Sequence, residues 1–286
     1  MKKHLVKPIL ASLLVVLIIA ASAIGFLAWV YSGPVTPTKI SLLKSLSLPV
    51  GRVGFATLDA SEVLQRQNLV ERSGKSISFS EAMALSIHDI QIDQLTTKYK
   101  ARKDKRFEQL VNDGLESRDG TAKVREKMGL SKTEFERLVI SPYIHTLDLQ
   151  LYFVGKEELH TTEYSKATKM IQLLKSGKEF GDASVESKIA NKNSETASLS
   201  GDTGYVPLRG LLPELQYALS SNDVGEPKLI VTRNGLYVVI VTDWLISKSD
   251  TPERVSVKTA FVPVAGYKEW VKQALKSVPA SVYIKE

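Results

Sequence analysis

The sequence predicts an α+β protein with three parts: an N-terminal transmembrane helix, a mainly helical lobe completed by a C-terminal strand-helix-strand, and an α/β module inserted into that lobe. Three observations carry this. The run that begins at Ile9 and ends at Tyr31 contains no charged residue. Two S-x-x-E capping boxes, at Ser78 and Ser131, open amphipathic stretches. Asn234-Gly235 stands between two apolar runs, a strong hairpin signal.

The first run (ILASLLVVLIIAASAIGFLAWVY) meets the ~20 apolar residues that a helix needs to cross a ~30 Å hydrocarbon core. Lys2, Lys3 and Lys7 precede it and uncharged Ser32-Gly33-Pro34 follows, so the positive-inside rule leaves the short basic end in the cytoplasm and exports the rest. Trp29 and Tyr31 stand where interfacial aromatics anchor a span. The alternative is a signal peptide cleaved after Ala21-Ser22-Ala23. The apolar run continues through Val30, which favours an uncleaved signal anchor over residues 1–33, single-pass in the cell (inner) membrane.

Residues 34–50, with two prolines and several Ser and Thr, read as a linker into a strand over 52–58, with Asp59 and Ser61 as caps for a following helix. Behind Ser78-Phe-Ser-Glu81, Met83, Ile87 and Ile90 recur on one helical face. The basic stretch over 98–106 reads as a solvated helix end. Behind Ser131-Lys-Thr-Glu134, a helix carries Phe135, Leu138, Leu147 and Leu151, and Pro142 predicts a kink or break within it. These segments define a helical lobe over 51–157.

A module over 158–246 follows. Ala167, Met170, Ile171 and Leu174 mark a helix closed by Gly177. A polar stretch leads to Gly204-Tyr-Val206, a short helix near 212–219, and strands at 228–232 and 236–243. After that, residues 255–262 read as a strand, 267–278 as an amphipathic helix and 280–284 as a last strand. This segment, 247–286, is too short to fold alone and is expected to return to the helical lobe.

The chain has no cysteine, which excludes disulfides, thiolate metal sites, thiol nucleophiles and a lipidated N-terminal Cys. The net charge of +7 comes partly from the leading lysines, and the rest is scattered without a nucleic-acid stripe. His4, His88, His145 and His160 form no ligand-spaced pair, so neither a metal nor a cofactor is expected, and His160 reads as a surface histidine.

Several motifs occur in order: Leu174-Lys-Ser-Gly-Lys-Glu-Phe180, Ser200-Gly-Asp-Thr-Gly-Tyr205, Arg209-Gly-Leu-Leu-Pro-Glu-Leu215, Val224-Gly-Glu-Pro227 and Asn234-Gly-Leu-Tyr-Val-Val239. Together they resemble the parvulin (PpiC, rotamase) family of peptidyl-prolyl cis/trans isomerases. The flanks are similar to the SurA, PrsA and PpiD type of exported foldase, in which a SurA-N-like helical chaperone lobe surrounds a parvulin-like domain. Gly201, Gly204 and Gly235 read as turn and close-approach glycines of that scaffold.

The resemblance implies an apolar pocket for a proline ring beside two histidines and a Cys or Asp in a hydrogen-bonded cluster. The pocket Met and Phe fall on Leu211 and Leu215, the last-strand histidine on Tyr237, and the Cys/Asp position near Asn193; the first-strand histidine has no counterpart. The expected substrate-binding residues are therefore Leu211, Leu215, Tyr205 and Tyr237, and Tyr237 and Asn193 occupy the catalytic positions. The polar cluster is what the chain lacks. The resemblance thus implies a membrane-anchored extracytoplasmic folding factor that binds unfolded or proline-containing exported polypeptides, with isomerase activity weak or lost. An active isomerase with a remodelled pocket, and a non-catalytic envelope scaffold docked on the export machinery, are the alternatives.

Overall fold

The computed structural model describes residues 20–102, 104–116, 121–189, 201–219, 224–246 and 252–284. The fold is α+β, with two antiparallel sheets. The chain divides into two compact units, one made of residues 1–91 and 278–286 and the other of residues 92–277.

In the first unit, residues 20–31 are helical (α1). Among the described residues no helix is long and apolar enough to cross a membrane; the part of the apolar run from Ile9 to Ile19 lies outside them. The segment read as a linker forms α2 (Pro37–Ser45) instead. Thr36 accepts a hydrogen bond from the Lys39 N–H at 3.3 Å and Pro37 takes the first helical turn, where a missing N–H costs nothing. The strand expected over 52–58 is a hairpin: β1 (Pro49–Val53) turns at Gly54, φ 53°, into β2 (Ala56–Asp59). Helices α3 (Ala60–Arg72) and α4 (Phe79–Lys98) follow. The Ser78–Glu81 capping box is formed in both directions, at 2.7 and 3.1 Å.

The core of this unit gathers Leu43, Val50, Leu58, Val63 and Met83, and it includes Val30, 1% exposed, from the last turn of α1. Tyr31 donates to the Pro49 carbonyl at 2.9 Å, and the Lys39 ammonium, 5.5 Å from the Trp29 ring centroid, donates to the Ser32 carbonyl. The end of α1 is therefore built into a folded core, as a flexible tether would not be.

In the second unit, α5 (Lys105–Glu116), α6 (Thr121–Lys127) and α7 (Lys132–Phe135) lead through a π-helical turn at Glu136–Ile140 into α8 (Ser141–Val154). The kink or break expected at Pro142 takes the form of this π-helical turn, and the helix itself continues. Pro142 has no N–H to give the preceding turn, and the Ser141 N–H reaches back five residues to the Glu136 carbonyl. Helices α9 (Thr161–Lys175) and α10 (Phe180–Glu186), strand β3 (Gly201–Pro207), helix α11 (Pro213–Ala218), strands β4 (Pro227–Thr232), β5 (Gly235–Ile246) and β6 (Pro252–Pro263), and helix α12 (Tyr267–Leu275) complete it.

The four strands form one sheet in the order β3-β6-β5-β4. This corrects the expected course of the tail. Strand β6 joins the module's sheet, Tyr237 pairing with Phe261 and Val239 with Thr259, because its alternating apolar residues complete both faces. Only β7 (Ala280–Val282) returns to the first sheet, beside β1.

Candidate functional site

The site is built on one face of the four-stranded sheet. Strand period puts Leu236, Val238, Ala260 and Val262 on one side, against α9 and α10. Tyr237, Val239, Val241, Val255, Val257 and Phe261 lie on the other, with Leu215 from α11 and Leu219 just after it packed over them. Tyr237 and Phe261 are directly opposed across β5 and β6, ring centroids 4.7 Å apart. Leu211 and Leu212, half-buried, lie on the path into α11, and Pro213 fixes the first turn of that helix. Leu215 is 5% exposed and Tyr237 8%, whereas Leu208, Leu211 and Leu212 beside them are half-buried.

One ion pair borders this face. Glu214, buried on α11, accepts from the Arg233 Nε at 2.8 Å, Nη2 at 3.2 Å and backbone N–H at 3.2 Å. Arg233 Nη1 donates to the Tyr143 hydroxyl at 2.6 Å. Burial works against the guanidinium charge, but the Glu214 contacts outweigh it and hold the Arg233 pKa above its ordinary value. Burial, with the Glu214 charge behind it, raises the Tyr237 pKa, so the phenol stays neutral. The cluster is built from aliphatic side chains and the rings of Tyr237, Phe261 and Trp244. Its central residues are packed and buried, and Leu208, Leu211 and Leu212 are half-buried at its margin.

Leu211, Leu215 and Tyr237 belong to one apolar cluster. Tyr205 is not with them. It pairs with Ser256 on β6, whereas Val206 pairs with Val255 and joins the apolar cluster, so the pleat turns Tyr205 to the opposite face. There its hydroxyl donates to Asp243, which holds the Asp243 carboxyl below its ordinary range. Asn193 lies outside the described residues. His160 is buried, 6% exposed, with Nε2 3.0 Å from the Phe153 carbonyl and its ring edge-on to Phe153. It closes a turn ahead of α9; the expectation of a surface histidine is corrected. Among the described residues no group of acidic and histidine side chains could hold a metal.

Three residues escaped the sequence. Phe261 belongs to a strand that the sequence assigned elsewhere, and only register could place it against Tyr237. Glu214 and Arg233 are nineteen positions apart, with no local pattern to join them. No protein-family model matches the chain, and comparison with curated proteins and with solved structures returns no match.

Proposed function

We propose that the chain is a membrane-anchored extracytoplasmic folding factor that binds unfolded exported polypeptides and has little or no prolyl isomerase activity. The observation that carries this is the pairing of Tyr237 with Phe261 on an apolar sheet face beside Leu211 and Leu215. In the parvulin resemblance, a strand ahead of the first helix brings a histidine to the last-strand histidine. Here Tyr237 lies between its hairpin partner β4 and β6, which follows the hairpin and brings a phenyl ring. On this reading the scaffold is rewired and the hydrogen-bonding cluster replaced by carbon. What persists is a buried apolar sheet face with a half-buried leucine edge, and it is this edge that suits side chains of an extended, unfolded segment.

Twisting a prolyl bond crosses a ~20 kcal/mol barrier, and selective stabilisation of the twisted state needs placed polar groups or an enclosed, water-poor pocket. The full chain in lipid nanodiscs is therefore expected to leave the isomerisation rate of short Xaa-Pro peptides at the uncatalysed background. A robust acceleration overturns the loss of catalysis and favours the active-isomerase alternative. Crosslinking in intact cells separates the scaffold alternative: many heterogeneous exported chains support the folding factor, and one stoichiometric partner contradicts it.

A further inference from the structure

Strand β7 is an edge of the first unit's sheet, whose order is β2-β1-β7. Every residue from Pro279 to Tyr283 is exposed, and none is charged. The Tyr283 N–H donates to the Val50 carbonyl at 3.0 Å, and the Gly54 N–H donates to the Pro279 carbonyl at 2.9 Å. Antiparallel pairing alternates, so the N–H groups of Ala280 and Val282 point away from β1.

Both ends of this strip meet apolar groups. At one end Tyr283 stands edge-on to Tyr31, ring centroids 6.2 Å apart, beside the last turn of α1 where Trp29 is 49% exposed. At the other end Pro279 holds the hairpin turn Gly54-Phe55, with Phe55 95% exposed. Arg52, exposed next to the turn, donates from Nε to the Gly54 carbonyl at 3.0 Å. A lone apolar side chain in water needs no explanation. Here, however, five uncharged residues, about 14 Å of strand, join that phenyl ring to the apolar helix.

We propose that this strip lies in the phospholipid headgroup layer of the membrane that holds α1. The Phe55 ring enters the boundary with the acyl chains, the Arg52 guanidinium meets a lipid phosphate, and the outward N–H groups of β7 find acceptors among headgroups and water. The inference rests on the membrane anchor of the folding-factor reading and deepens it. Val30 in the core and the Tyr31 bond to Pro49 tie α1 to β1, so Phe55 gives the first unit a second point of attachment and a set orientation. A partner's strand is the rival occupant of the edge. Three residues of β7 offer it little pairing, and continuity with α1 favours lipid.

Because the chain has no cysteine, Phe55→Cys places a single NBD fluorophore at the turn of the full chain in lipid nanodiscs. Lipids carrying a nitroxide near the headgroup are expected to cut its emission at least twofold, and aqueous iodide to have little effect. With the fluorophore at Val282→Cys the same quenching is expected, and adding Phe55→Asp is expected to halve it or more. Emission quenched by iodide and untouched by nitroxide lipids overturns the proposal. So does a probe shielded from both quenchers, which marks a protein contact, or quenching at Val282→Cys that Phe55→Asp leaves unchanged. Circular dichroism checks that Phe55→Asp folds; if it does not, the probe at Phe55→Cys decides alone. A chain that elutes apart from the nanodiscs overturns the anchor and this proposal with it, whereas co-elution without nitroxide quenching overturns this proposal only.

Discussion

At the scale of single residues, close approach and burial decide which positions are irreplaceable. Gly235 is the clearest. Its φ is 157°, and a Cβ there would lie 2.2 Å from the Val262 carbonyl oxygen on β6. Backbone cannot yield as a flexible side chain can. Gly235→Ala is expected to cost about 3 kcal/mol, measured by urea denaturation; a change below about 0.5 kcal/mol contradicts the β5–β6 register. Gly201 and Gly204 have positive φ but open space where a Cβ would stand, so only their conformation matters, and the close strand approach expected of them is absent. Titration acts at this scale too. Burial lowers the pKa of His88, and burial lowers that of His145 despite the opposing charge of Asp93, 3.3 Å away. Both pKa values lie below the unfolded one, so the unfolded chain takes up protons first as the pH falls. Their stabilisation is complete above the ordinary histidine pKa and is lost as pH falls through it towards the folded values. The urea midpoint is expected to drop between about pH 7.5 and about pH 5, less so in His145→Gln. An unchanged midpoint contradicts this.

Elements were legible in the sequence where the signal is local. The capping boxes at Ser78 and Ser131 form as written, with Ser131 accepting from the Glu134 N–H at 3.2 Å. Pro142, which has no N–H to donate, follows a π-helical turn instead of breaking the helix. Local signals failed where a residue has two uses. Pro37 suggested irregular chain and instead starts a helix. Gly54-Phe55, inside an alternating run, is a turn, and Phe55 stands 95% exposed at its tip. The Asn234-Gly235 hairpin exists, but its two turn residues are Arg233 and Asn234, neither with positive φ, and Gly235 is the first residue of β5. That displacement puts Arg233 over Glu214. Because Glu214 is buried, truncating one partner strands a charge: Glu214→Leu is expected to cost about 3 kcal/mol or more, and the double change with Arg233→Met to recover most of that. Additive losses in the double variant contradict a coupled pair.

For the whole molecule, the sequence conveyed α+β architecture and the grouping of Leu211, Leu215 and Tyr237, because motif order carries that much. Which strand lies beside Tyr237 depends on long-range pairing. The alternation in 255–262 announces a strand and says nothing of its neighbour. The same limit hid Tyr205, whose face is set by register with Ser256. Val30 and Tyr31 show how the N-terminal helix takes part in folding: the residues that leave it are core and hydrogen-bonded residues of the first unit. Removing everything before Pro34 would open that core, so the intact chain in a bilayer is the form to test. The central claim is that its apolar sheet edge engages unfolded polypeptides. The most direct measurement is light scattering of a chemically unfolded model protein diluted into nanodiscs carrying the full chain, beside empty nanodiscs and the edge variant Leu211→Asp. The account predicts suppression of aggregation by the intact chain and its loss in Leu211→Asp, a half-buried position, with circular dichroism showing that the variant keeps its fold. Scattering as high as with empty nanodiscs at excess chain, or equal protection by Leu211→Asp, contradicts it.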